Sequence, residues 1–142
     1  MELSRQADYA IRAISHLASL SDGQLVQTRE IALSQDIPDK YLPTIIRTLA
    51  RAGLLRTLRG SHGGVSLARP ASQITLREVV EAIDGPVLLN RCQIRPGECR
   101  NGDGPVCALH NFWVQLVAQI QADMEAINFS ELKEGVVRLP RR

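Results

Sequence analysis

The chain has 142 residues, 44% of them hydrophobic and 23% charged, with a formal net charge of +2. That balance suits one ordinary domain, or a small domain with an accessory unit, and excludes a wholly disordered chain, a small disulfide scaffold and a large multidomain enzyme. No apolar run approaches the roughly 18 residues of a membrane span, and Met1-Glu2-Leu3-Ser4-Arg5 carries no apolar signal core, so a cytoplasmic protein without a membrane partner is expected.

The first predicted element is a helix from Ser4 to Leu20, capped by Ser4, with Ala7, Ala10, Ile11, Ile14, Leu17 and Ala18 at helical spacing. Ser21-Asp22-Gly23 is a turn. A second helix runs from Thr28, its expected cap, to Ser34, with Ile31 and Ala32 facing inward. After the break at Gln35-Asp36-Ile37-Pro38, a third helix is expected to open at Pro38 or Asp39 and to reach Ala52, burying Leu42, Ile45, Ile46 and Leu49 and stopping at Gly53. Pro43 conflicts with that start, because it lacks an N–H and disfavours helix at Leu42. The helix therefore either begins later or is kinked. Leu54 to Arg59 reads as a strand, Gly60 to Gly64 as a turn and Val65 to Ala68 as the returning strand.

This order is the plan of a winged helix-turn-helix, a module that sets one helix in the major groove of DNA while the hairpin approaches the backbone or minor groove. Charge agrees with it. From Lys40 to Arg77 there are seven basic residues and no acidic one, a one-sign stretch suited to phosphates or, equally, to a solvated face. On the outer side of the third helix, Lys40, Tyr41 and Thr44 are the candidates for base edges, and Arg47 and Arg51 for phosphates. Thr28 is a candidate phosphate contact at the second helix. Ser61 and His62 stand at the wing with Arg59, and Ser4 and Arg5 are candidates for the DNA backbone.

Beyond a linker at Pro70, Thr75 to Ile83 reads as a short helix with a capping box between Thr75 and Glu78. Asp84-Gly85-Pro86 ends it, and residues 90–105 read as a loop. The longest helix is expected from about Val106 to Ile127, where Val106, Leu109, Trp113, Leu116, Ile120, Met124 and Ile127 form a narrow seam. Such a seam suits pairing between two subunits, in preference to packing within its own domain. The expected fold is thus mainly α: a winged helix-turn-helix DNA-binding domain over 1–70, a cysteine loop and long dimerisation helix over 71–128, and a frayed tail over 129–142.

Cys92, Cys99 and Cys107 fall within 16 residues. Three cysteines cannot form two disulfides, and clustered reduced thiols suggest a metal or cluster site, or a redox switch. The pattern is Cys92-x6-Cys99-x7-Cys107-x2-His110. Thiolates, with histidine in some proteins, hold iron–sulfur clusters, and His110, nearly one turn beyond Cys107, is a candidate for the remaining ligand place. Three cysteines and a histidine also suit zinc, although the missing C-x2-C pair counts against it. A cysteine-nucleophile enzyme is disfavoured, since no substrate pocket or phosphate loop is signalled. A protein-interaction module is disfavoured by the acid-free stretch over helix and wing.

Several residue groups in order resemble one family pattern: Leu3-Ser4; Asp8-Tyr9-Ala10-Ile11-Arg12; Ile37-Pro38 with Tyr41-Leu42; Ala52-Gly53-Leu54; Arg59-Gly60 with Gly63-Gly64; Glu81-Ala82-Ile83 with Gly85-Pro86; then the cysteines. Over about residues 1–125 the chain resembles the Rrf2 family of winged-helix regulators, which includes IscR and NsrR. The resemblance implies a homodimeric bacterial transcription factor, here expected to be a repressor, on a partly palindromic double-stranded operator. It implies an iron–sulfur cluster, 2Fe–2S or 4Fe–4S, that tunes DNA binding in response to nitric oxide, redox state, or iron and cluster supply. Arg59 resembles the family's wing arginine. Cys107 to Trp113 is similar to the IscR form, in which the histidine matching His110 is the fourth ligand. Asp8 matches the aspartate that reaches the cluster in NsrR-like members. Some relatives lack the cysteines, so the alternative is a clusterless regulator using them as a thiol switch or zinc site.

Overall fold

A computed structural model describes residues 2–95 and 107–138 of the chain. In order they form α1 (Arg5–Ala18), α2 (Thr28–Gln35), α3 (Leu42–Arg51), β1 (Leu55–Leu58), β2 (Gly64–Leu67), a 3-10 turn at Ala71–Gln73, α4 (Leu76–Asp84), α5 (Arg91–Ile94), α6 (Ala108–Glu125) and α7 (Phe129–Lys133). Among the described residues no helix is long and apolar enough to cross a membrane.

Ser4 caps α1 as its residue type predicts: its backbone is extended and its hydroxyl accepts the N–H of Ala7 at 3.1 Å. Thr28 does not cap α2. It is the first helical residue, the cap position belongs to Gln27, and no side chain satisfies the first N–H groups there. The start expected for α3 at Pro38 or Asp39 is also corrected. The helix begins at Leu42 with Pro43 in its first turn, where a missing N–H leaves no intrahelical bond unmade. Lys40 and Tyr41 accordingly precede the helix.

The wing pairs antiparallel, with Leu55 opposite Leu67 and Leu58 opposite Gly64. Val26 adds a bridge to Val65, with N–H to carbonyl distances of 2.9 and 2.8 Å. The capping box of α4 is present: Thr75 accepts from the N–H of Glu78, whose carboxylate accepts from the N–H of Thr75 at 3.0 Å. The predicted loop at 90–105 starts with a short helix, α5, held by a second box between Asn90 and Gln93.

The core runs through Ile14, Leu17, Ile31, Leu42, Ile45, Leu49, Leu54, Ile74, Val79 and Phe129. The tail expected from residue 129 is corrected at its start, where Phe129–Lys133 is helical. Phe129 is fully buried, and α7 packs against α1 and the 3-10 turn. Two backbone bonds hold this return of the chain: Leu76 N–H to Ile127 carbonyl at 2.9 Å, and Phe129 N–H to Ile74 carbonyl at 3.1 Å. Asn128 caps α7 through the N–H groups of Ser130 and Glu131. By contrast α6 buries only Val117 fully, which is not a member of the predicted seam, and exposes Leu109, Phe112 and Val114. The seam residues Trp113, Leu116, Ile120 and Met124 are half-buried.

Candidate nucleic-acid interface and cysteine segment

The buried side of α3, Leu42, Ile45, Ile46 and Leu49, anchors it in the core. Its other side therefore faces out, with Thr44, Arg47 and Arg51 exposed and Thr48 half-buried. Lys40 is exposed just before the helix, its ammonium 5.0 Å from the centroid of the Tyr41 ring. Tyr41 is half-buried and meets the Tyr9 ring at 5.6 Å.

Arg59, Ser61 and His62 are all exposed in the turn of the wing. The amide of Gln27 donates to the Gly63 carbonyl at 2.7 Å and so ties that turn to the start of α2, where Thr28 is half-buried. Sequence reasoning did not single out Gln27, because its role arises only when the wing folds back over α2. The charge stretch is not uniform in its use. Arg69 pairs with Glu78 at 2.7 Å and Arg77 with Glu81 at 3.2 Å, which leaves Lys40, Arg47, Arg51, Arg56 and Arg59 as its exposed cations. Partial burial pushes the Glu78 carboxyl up, but the Thr75 N–H, the Arg69 guanidinium and the Thr75 hydroxyl outweigh it and hold the group below its ordinary value.

Arg5 is exposed at the start of α1. Ser4 is engaged within the chain. Its N–H donates to Asp84 at 3.0 Å and its hydroxyl to the other oxygen of that carboxylate, which joins the start of α1 to the end of α4.

Cys92 lies in α5 and Cys107 at the N-cap of α6; both are half-buried free thiols, and α5 packs against α6. His110 is half-buried in the first turn of α6. Asp8 lies in the first turn of α1, paired with Arg12 at 2.7 Å. Cys99 falls outside the described residues. Among the described residues, no three His, Cys, Asp or Glu side chains come together to hold a metal. The donors that are described, two thiols and an imidazole, fit in kind both an iron–sulfur cluster and zinc.

Residues 3–135 match the Rrf2 family, described as iron-dependent transcriptional regulators. The chain is 34% identical over 132 residues to the HTH-type transcriptional regulator IscR of Photorhabdus laumondii, covering 93% of this chain and 79% of that one. Its fold is similar to that of T. potens IscR, with a TM-score of 0.73 at 22% identity over 100% and 94% of the two chains. It is also similar to CymR, the global cysteine regulator of B. subtilis, with a TM-score of 0.78 at 20% identity over 96% and 98%. The match to the family extends from the start of α1 through α7, and the chain belongs to the Rrf2 family of transcriptional regulators.

Proposed function

We propose that the protein is a cytoplasmic homodimer that represses transcription from double-stranded operator DNA, its affinity controlled by an iron–sulfur cluster, 2Fe–2S or 4Fe–4S, held at Cys92, Cys99 and Cys107. The observation that carries the DNA-binding part is the outward side of α3, with Thr44, Arg47 and Arg51 exposed, beside a wing whose turn exposes Arg59, Ser61 and His62. Of the three candidates for base edges, Thr44, near the start of α3, keeps that role; Lys40, which precedes the helix, is reassigned to phosphates with Arg47 and Arg51, and Tyr41, half-buried against Tyr9, is reassigned to packing beneath it. The wing turn follows the backbone, and Arg59 enters the minor groove. The uncapped start of α2 at Thr28 turns N–H groups toward a phosphate. Homodimerisation is supported by the exposed apolar side of α6, where Leu109 and Phe112 are 55% and 53% accessible.

For the fourth ligand place, His110 is favoured over Asp8, because it shares the first turn of α6 with Cys107 while the Asp8 carboxylate is taken by Arg12. A cluster bound there supplies a centre sensitive to nitric oxide, redox state and iron supply. The chain's own part would be to supply the thiolates of Cys92 from α5 and Cys107 from the start of α6, with that of Cys99.

The test is an anaerobic absorption spectrum with iron and sulfide analysis, and binding of the same sample to duplex DNA that the protein has selected from a random pool. A brown protein containing both elements, whose DNA affinity changes when nitric oxide bleaches it, is the expected result. Cys99→Ala is expected to abolish the spectrum and leave a folded dimer; a normal cluster spectrum in that variant overturns the ligand set. A colourless wild-type protein that still dimerises and binds DNA moves the cysteines to a thiol switch or zinc site. Loss of selective DNA binding in every preparation overturns the regulator's proposed DNA site.

A further inference from the structure

We infer that Tyr9 and Tyr41 form an aromatic bracket that positions Lys40 for a DNA phosphate, so that both tyrosines act through Lys40 and neither needs to touch DNA. This rests on the DNA-binding reading above and adds the residues that set the geometry of its first cation. Five side chains line up across α1 and the turn before α3. Asp8 pairs with Arg12 at 2.7 Å, and the Arg12 guanidinium lies 5.7 Å from the Tyr9 ring centroid. The Tyr9 and Tyr41 rings meet at 5.6 Å with a 42° tilt, and the Lys40 ammonium lies 5.0 Å from the Tyr41 centroid.

The two rings are half-buried and packed against the core, so their positions are fixed from beneath. A lysine on an exposed turn otherwise samples many rotamers, all of which it must give up on docking to a phosphate. A ring face that attracts the ammonium narrows that sampling before DNA arrives. The ends of the line differ in charge. Arg12 is matched by Asp8, whereas among the described residues Lys40 forms no ion pair. The cation without an ion pair is thus the one immediately before the exposed side of α3, next in sequence to the exposed Asp39.

The experiment measures binding of the full chain to its selected duplex over a range of salt concentrations. Lys40→Gln is expected to weaken binding and to lower the salt slope by about 1. Tyr41→Leu is expected to weaken binding about 2- to 5-fold, as loss of one exposed cation–π contact implies. Tyr41→Phe keeps the ring face and is expected to bind more tightly than Tyr41→Leu. The double variant Tyr41→Leu with Lys40→Gln binds no more weakly than Lys40→Gln alone, since the ring acts through the lysine. Additive losses in the double variant overturn the proposal. So does a loss in Tyr41→Phe equal to that in Tyr41→Leu, which would place the phenol on DNA. Melting curves accompany each variant, and Tyr9→Leu repeats the test one ring further from the cation if Tyr41→Leu does not fold. Arg47→Ala is the control. If it binds as wild type, the DNA reading itself fails; if it binds weakly while both tyrosine-to-leucine variants bind as wild type, only the bracket fails.

Discussion

At Gly64 the backbone has φ +151°, and a Cβ there would lie 2.6 Å from the carbonyl oxygen of Val26. At Gly63 a Cβ would strike the carbonyl of Leu58. The wing is therefore closed by two residues that have no side chain to fit. Gly64→Ala is expected to cost about 1–3 kcal/mol through forced backbone movement, read as a shift of the urea midpoint; an unchanged midpoint would mean that Val26 moves aside freely. Arg59 stands nearby, exposed in the turn. Arg59→Ala is expected to weaken DNA binding at unchanged stability, measured by electrophoretic shift beside a melting curve, and equal affinity would remove the wing from the interface. The glycine pair was legible in the sequence as a turn, and so was the arginine as a wing cation. Gln27 and the Tyr9–Tyr41 contact were not, because each joins residues more than thirty positions apart that only the folded core brings together.

Caps decided how well elements could be read. Ser4 and the Thr75–Glu78 box act within one turn, so residue type and spacing were enough to locate α1 and α4. At α3 the local signals competed. Asp39 offers a cap, but Pro43 is comfortable only in a first turn, and the proline rule prevailed. At α2 the expected threonine cap gave way because Gln27, one residue earlier, has the extended backbone of a cap and spends its side chain on the wing. The box at α4 also carries a pH dependence. Glu78 is held below the ordinary glutamate value of about 4.5. Its contribution is therefore complete above that pH and is lost as pH falls through the lower folded value. Wild type is expected to lose melting temperature more steeply than Glu78→Gln on acidification below about pH 4.5. Parallel curves would show that the carboxylate's bonds to Thr75 and Arg69 do not matter for stability.

On the scale of the whole molecule, the N-terminal helices and the return of the chain share a core. Phe129 is completely buried among residues of the helix-turn-helix, and α7 packs on α1. Phe129→Ala is expected to cost about 3–5 kcal/mol and to lower the urea midpoint of the entire molecule in one transition. A separate early transition confined to the C-terminal residues would show that α7 is only an appendage. This piece escaped the sequence reading because five residues with one aromatic show no periodicity, and the burial comes from partners more than fifty positions away. The long helix was legible as an apolar seam. The sequence offers Cys92, Cys99 and Cys107 as a ligand set; Cys92 lies in α5 and Cys107 at the N-cap of α6, while Cys99 lies outside the described residues.

The position of Phe129 bears on synthesis. A ribosome completes α1, α2, α3 and the wing long before residue 129 emerges, yet Phe129 is fully buried in the core they share, with α7 packed on α1 and the 3-10 turn. Nascent chains interrupted after α6 leave a large apolar vacancy beside α1, and degradation is their expected fate. Folded regulator would then come only from chains read through to α7, so that a premature stop yields no truncated competitor.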